Sequence, residues 1–247
     1  MIPVKNEREI EVMRRACKIT AAARALAGEM VRPGVTTKQI DKAVHDYIVS
    51  QGAKPTFLHY GGFPANVCIS VNEVVIHGIP DHRKLMEGDI VSVDLVVENK
   101  GYMADAARTY PVGKISDEAA RLIETVEKAF FNGIAFAKEG FRLSDISSAI
   151  QKTVEGEGFG VIRDFVGHGI GSKMHEEPQI PNYGKPGRGP RLQQGMTLAI
   201  EPMITQGSYE IDVLADDWTA VTIDGKLAAH YENTVVITDG EPELLTL

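Results

Sequence analysis

The sequence predicts an α+β fold, with an antiparallel-rich sheet and helices on its outer face. Two observations carry this reading. Helix-period segments come in pairs, each pair is followed by pairs of strand-like runs, and this order occurs twice along the 247 residues. Each half also carries a His-Gly-Ile followed by two acids: His77-Gly78-Ile79 before Asp94 and Asp105, and His168-Gly169-Ile170 before Glu201 and Glu232. The pairing suggests one domain over 1–247, built from pseudo-symmetric halves of about 1–115 and 116–247, with a site at their interface.

The first helix is expected over Glu7 to Val31, where Glu7, Arg8, Glu9, Glu11, Arg14 and Arg15 alternate with apolar residues at helical spacing and no signal-peptide apolar region is present. A second spans Thr37 to Gln51, capped by Thr36 or Thr37. A strand follows at Ala65 to Val71. Ile90 to Val97 and Tyr102 to Val112 read as a hairpin around a turn at Glu98 to Gly101, a register that sets Asp94 directly opposite Asp105. Ser116 caps a helix to Lys138, and Ser144 or Asp145 caps one over Leu143 to Gly156. Pro181 to Pro190, rich in glycine, reads as a surface loop bordering the site. The last strands are Met196 to Ile204, Trp218 to Ile223 and Leu227 to Thr238, the final two joined by an Asp224-Gly225 hairpin.

Composition narrows the function classes. A chain of this length buries roughly 70–75% of its unfolded surface, so a full core is expected. The net charge of −8 argues against a phosphate-tracking surface and a nucleic-acid substrate. Cys17 and Cys68 form no C-x-x-C pair, which removes a disulfide framework and a cysteine zinc site and fits reduced thiols in a cytoplasm. No apolar run of about 18 residues occurs, so no membrane helix is expected.

The chemistry lies in Asp94, Asp105, His168, Glu201 and Glu232. Two facing carboxylates repel unless a proton or a cation lies between them. Glu201 ends the apolar run Met196 to Ile200, where a charge costs several kcal/mol unless an arginine or a cation compensates it. Glu232 is equally isolated between Ala228 and Ile237. Glycines on both sides of His168 leave room for a ligand at its ring. The run His175-Glu176-Glu177-Pro178-Gln179 fails the H-E-x-x-H zinc pattern at Gln179, and neither a G-x-S-x-G elbow nor a P-loop is present. Four carboxylates and one imidazole without sulfur suit Mn2+, Fe2+, Co2+ or Zn2+. Four negative ligands exceed the need of one ion, and two divalent ions about 3.5–4 Å apart would be neutralised by them.

Taken in order, His77-Gly78-Ile79-Pro80, Asp94, Asp105, Gly167-His168-Gly169-Ile170-Gly171, His175-Glu176-Glu177-Pro178, Glu201-Pro202-Met203 and Glu232 resemble the methionine aminopeptidases, in their short bacterial type I form, across essentially the whole chain. The resemblance implies the pita-bread fold and removal of the initiator methionine from nascent polypeptides when the second residue is small. It implies that Asp94 and His168 ligate different metals, that Asp105 and Glu232 bridge them, and that Glu201 ligates beside His168 and shuttles the proton. His175 would steady the oxyanion and His77 the scissile amide. The substrate's α-amine would bind a metal, restricting cleavage to an N-terminus. The methionine pocket would use Tyr60, Phe63, Cys68 and Trp218, with Phe57 and Met174 at its rim. The implied partners are N-termini of nascent peptides and, transiently, the ribosome, met by a cytoplasmic monomer.

The sequence departs from common family usage at Phe57, Phe63 and Met174, and Tyr102-Met103-Ala104-Asp105 lacks the usual His-Gly before the aspartate. The length leaves no room for the extra domain of the proline dipeptidases or the insertion of the type II enzymes. Ile2 is too large for the small-residue rule, so the chain's own Met1 is expected to remain. Two other readings compete: an X-Pro aminopeptidase or dipeptidase of the same fold, and a non-catalytic peptide-binding relative.

Overall fold

The computed structural model describes residues 2–247, so Met1 and its expected retention lie outside them. The paired order of elements holds. Helices α1 (Glu7–Met30) and α2 (Thr37–Ser50) precede one set of strands, and α3 (Asp117–Ile134) and α4 (Leu143–Gly156) precede the other. Asn6, Thr36 and Ser116 accept from backbone N–H groups in the first turns of α1, α2 and α3. In α4 the cap differs from the sequence reading: Arg142 is the N-cap, and the Asp145 carboxylate reaches back to accept its N–H.

Every strand ladder is antiparallel, and the strands form four small sheets. The hairpin Ile90–Asn99 with Tyr102–Pro111 is the longest, flanked by Cys68–Val71. Val91, Val93, Leu95 and Val97 pack under α1 and α2, with Ile40, Val44 and Ile48. Strand alternation therefore turns Ser92, Asp94 and Val96 to the opposite face, away from the helices. A second core, with Leu122, Phe130, Ile146 and Ile150, sits where α3 and α4 meet Leu198, Ile200 and Tyr231.

The hairpin register corrects one expectation. Asp94 pairs with Ala107, and Asp105 with Val96, so the two acids are diagonal neighbours on one face rather than directly opposed. The turn is Lys100-Gly101, both with positive φ (55° and 83°), one residue further along than a turn centred on Glu98 to Gly101. Two later strands also differ. The Met196 to Ile204 run breaks into Thr197–Ile200 and Met203–Thr205, and the Leu227 to Thr238 run into Ala228–His230 and Asn233–Val236. The pieces belong to different sheets: Met203–Thr205 pairs with Ala228–His230, and Thr197–Ile200 with Asn233–Val236. Both breaks fall on the acids, at Glu201-Pro202 and Tyr231-Glu232, because Pro202 has no N–H to continue a ladder. Asp224-Gly225 is a tight turn but not a hairpin, since Ala220–Thr222 and Ala228–His230 pair with other strands.

Candidate metal centre and active site

Asp94, Asp105, His168, Glu201 and Glu232 all line one cavity of about 270 Å³. They arrive by three backbone routes. Asp94 and Asp105 stand on the hairpin. His168 lies in the short strand Gly167–Gly169, whose neighbours press close on both sides: a Cβ on Gly167 would meet the Ala199 carbonyl oxygen at 2.5 Å, and one on Gly169 would collide with the Glu177 carbonyl. These glycines thus admit neighbouring backbone rather than a ligand, a correction to the sequence reading.

Glu201 and Glu232 occupy the strand breaks, where hydrogen bonds from outside the ladders hold them. Asn182 donates to the Glu201 carbonyl (3.0 Å), and the Glu232 N–H donates to the Ala107 carbonyl (2.9 Å). The Thr234 hydroxyl accepts from the Asp105 N–H (3.0 Å) and donates to the Asp105 carbonyl (2.9 Å), which ties the hairpin to the strand after Glu232. Arg24, from α1, donates to the Glu232 carbonyl (3.1 Å). No arginine pairs with the Glu201 carboxylate among the described residues; the imidazoles of His168 and His230 lie within 4 Å of its two oxygens.

All four carboxyls are buried, and burial raises their pKa values, Asp94 to about 7. After burial, the charge of Asp94 is the next cause for Asp105 and Glu201, and that of Asp105 for Glu232. The same burial lowers His168 to about 4, which leaves its imidazole neutral and able to ligate. His168 Nε2 lies 3.4 Å from Glu201 Oε1 and 3.7 Å from Asp105 Oδ2. These gaps are long for hydrogen bonds, but two ligands each about 2.0–2.2 Å from one ion stand roughly this far apart. Asp94 Oδ1, Asp105 Oδ1 and Glu232 Oε1 are buried with no hydrogen-bond partner among the described residues. Since buried polar atoms are almost always paired, the donor set fits divalent cations. Two overlapping triads, Asp105-His168-Glu232 and Glu201-His230-Glu232, have ligand atoms close enough to hold an ion.

The rest of the cavity is apolar, walled by Phe57, Phe63, Cys68 and Trp218. Phe63 packs edge-on against Trp218 at 5.2 Å. Tyr60, 42% exposed, stands at the mouth and places its hydroxyl 2.8 Å from His175 Nδ1. Met174 is not on the wall; it is buried behind Phe57 and Phe63. His175 meets His168 edge-on with ring centroids 4.4 Å apart. His77 has a positive φ of 59° and is held between Phe165 and Trp218, so its ring reaches the cavity from a strained backbone. Burial lowers His77 to about 4 and also lowers His175. Sequence reasoning missed Ile76, Phe165 and Val166 in the lining, and His230 beneath it. The apolar three look like ordinary core, but His230, two residues before Glu232, carried a readable signal.

The comparisons with known proteins agree with this geometry. Residues 11–239 match metallopeptidase family M24. The chain is 55% identical to a methionine aminopeptidase of Clostridium acetobutylicum, over 100% of this chain and 99% of that one. The chain belongs to the M24 metallopeptidases, on their methionine aminopeptidase branch. Methionine aminopeptidase 1 of Bacillus subtilis is 48% identical, over 100% of this chain and 99% of that protein. Among solved structures, the methionine aminopeptidase from Rickettsia prowazekii superposes with a TM-score of 0.98 at 39% identity, covering 100% of both chains. The prolidase from Pyrococcus furiosus is more distant, at a TM-score of 0.81 and 25% identity, covering 99% of this chain and 65% of that one. The fold is therefore the pita-bread fold that M24 methionine aminopeptidases share with the prolidases. Among the described residues, no helix is long and apolar enough to cross a membrane.

Proposed function

We propose that this M24 enzyme removes the initiator methionine from nascent polypeptides whose second residue is small, acting as a cytoplasmic monomer with brief ribosome contact. The single observation that carries the reading is one cavity lined both by apolar side chains and by buried carboxylates and the His168 imidazole, with Asp94 Oδ1, Asp105 Oδ1 and Glu232 Oε1 left unpaired. Asp94, Asp105, His168, Glu201 and Glu232 would hold two divalent ions drawn from Mn2+, Fe2+, Co2+ and Zn2+. Such ions supply Lewis acidity at the scissile carbonyl and lower the pKa of water from about 15.7 toward about 7. The one-domain reading over 1–247, with halves of about 1–115 and 116–247, is supported by the separate cores under α1/α2 and α3/α4.

The residues divide the remaining work. Phe57, Phe63, Cys68 and Trp218 receive the methionine side chain and exclude water, with Met174 supporting Phe57 and Phe63 from behind. The Tyr60 hydroxyl, 2.8 Å from His175 Nδ1, holds that ring; with Tyr60 as donor the ring proton would sit on Nε2, the donor an oxyanion needs. His77, neutral at physiological pH, hydrogen-bonds the scissile amide. Glu201 accepts the proton of the attacking water and delivers it to the departing amine.

The test is release of free methionine from Met-Ala-Ser beside Met-Leu-Ser and Ala-Pro-Ser, on protein stripped of metal and resupplied with Mn2+ or Co2+. Metal-dependent release from Met-Ala-Ser alone is expected. Cleavage only of Ala-Pro-Ser would move the assignment to the X-Pro enzymes, and no turnover with any metal would leave a peptide binder.

A further inference from the structure

His230 stands outside the five residues of the resemblance, yet its ring reaches the same acids. It is 1% exposed, and its Nε2 lies 3.8 Å from Glu201 Oε2 and 3.8 Å from Glu232 Oε2. That nitrogen is buried without a hydrogen-bond partner, as are the neighbouring carboxylate oxygens Asp105 Oδ1 and Glu232 Oε1. The spacing matches that of His168 to its carboxylates, 3.4 and 3.7 Å. The Glu201 carboxylate therefore lies between two imidazoles, with Oε1 toward His168 and Oε2 toward His230. The backbone at His230 is as firmly fixed as that of Asp105. The Thr109 hydroxyl accepts from the His230 N–H (2.9 Å) and donates to the His230 carbonyl (2.9 Å), as Thr234 does for Asp105.

We propose that His230 is a sixth residue of the metal centre, its Nε2 a ligand to a divalent ion shared with Glu201 and Glu232. The proposal rests on the centre holding divalent ions at all. Its chemical consequence is a second nitrogen donor in an otherwise oxygen-rich set, which shifts preference from Mn2+ toward Co2+, Fe2+ and Zn2+. A tautomer with a proton on Nε2 would instead make His230 a donor to the two carboxylates, and the two roles differ in what the metal sees.

The deciding experiment is X-ray absorption at the cobalt edge, which counts imidazoles on the metal, with Co2+ and Mn2+ affinities measured in parallel by titration calorimetry. The metal-free full chain would be used as wild type, His230→Gln, His230→Asn and His168→Gln, each checked for native far-UV circular dichroism. The expected result is two imidazoles per protein in wild type and one in either His230 variant. Co2+ affinity should fall at least about tenfold in those variants, and Mn2+ affinity by less. One imidazole in wild type, lost in His168→Gln and unchanged in His230→Gln, would overturn the proposal while leaving the metal centre standing. Weaker binding in the His230 variants with an unchanged imidazole count would also overturn it, making His230 a positioning donor. No metal uptake by wild type would remove both this proposal and the metallopeptidase reading beneath it.

Discussion

The two acid pairs reach the same cavity by opposite backbone solutions. Asp94 and Asp105 ride on an unbroken ladder of ten residues per strand, where pairing alone sets their separation. Glu201 and Glu232 sit where two neighbouring strands leave one sheet for another, so side-chain hydrogen bonds and Pro202 must do what a ladder does elsewhere. The comparison teaches that a regular pair depends on its turn, whereas an irregular pair depends on its surroundings. Substitutions far from the chemistry should therefore act differently on the two.

The largest expected effect tests the chemistry of the irregular pair. Glu201→Gln should lower kcat by about 10²–10⁴-fold, the usual range for a lost acid–base group, with KM for Met-Ala-Ser changed much less. An unaltered kcat would show that the proton moves elsewhere. Next is the regular pair's dependence on its turn. Gly101→Val places a branched side chain at a φ of 83° and should cost about 1–2 kcal/mol in urea unfolding. The same change at Gly156, which has no neighbours within 4 Å of an added Cβ and no positive φ, should cost markedly less.

Much of the regular pair was legible in the sequence, and less of the irregular one. Alternating Val and Ile around Ser92 and Asp94 revealed the strand and its buried face; only the turn was placed one residue early, because Glu98 and Asn99 look like turn residues but continue the ladder. Glu201 and Glu232 were legible as isolated acids in apolar runs. That each marks a change of sheet was not, since Met196 to Ile204 and Leu227 to Thr238 keep strand-like composition through the break. His230 carried one signal, its place two residues before Glu232 in a strand-like run, which sets both side chains on one face. Arg24 was hidden for a different reason: it lies in the helical pattern of α1, and only the fold carries its guanidinium to Glu232.

A smaller effect concerns the supports of the irregular pair. Asn182→Ala removes the donor to the Glu201 carbonyl and should destabilise by about 1–3 kcal/mol, with weaker metal binding by calorimetry. Loss of stability without any change in metal affinity would show that Glu201 keeps its place unaided.

The smallest effect lies in the loop that carries His175. Glu176 pairs with Lys5 at 2.5 Å, both side chains buried, and also accepts from the Lys173 N–H. Burial alone would raise the Glu176 carboxyl, but the hydrogen bond and charge of Lys5, with the hydrogen bonds from the Lys173 N–H and Ser172, together outweigh it and hold the pKa below the ordinary glutamate value. The pair's contribution is thus fully present above that ordinary value and is lost as pH falls through the lowered one. Thermal midpoints of wild type and Glu176→Gln should converge in acid and separate toward neutrality. A constant difference across that range would detach the pair from pH.

On the proposed function, both acid pairs serve one metal centre. Anomalous scattering from crystals grown with Mn2+ tests it directly, because the peaks locate the ions among the side chains. The account predicts peaks within ligand distance, about 2.0–2.3 Å, of carboxylates from both pairs, with Asp105 and Glu232 contacting the same ions. Peaks that touch only Asp94 and Asp105, or only Glu201 and Glu232, would contradict it.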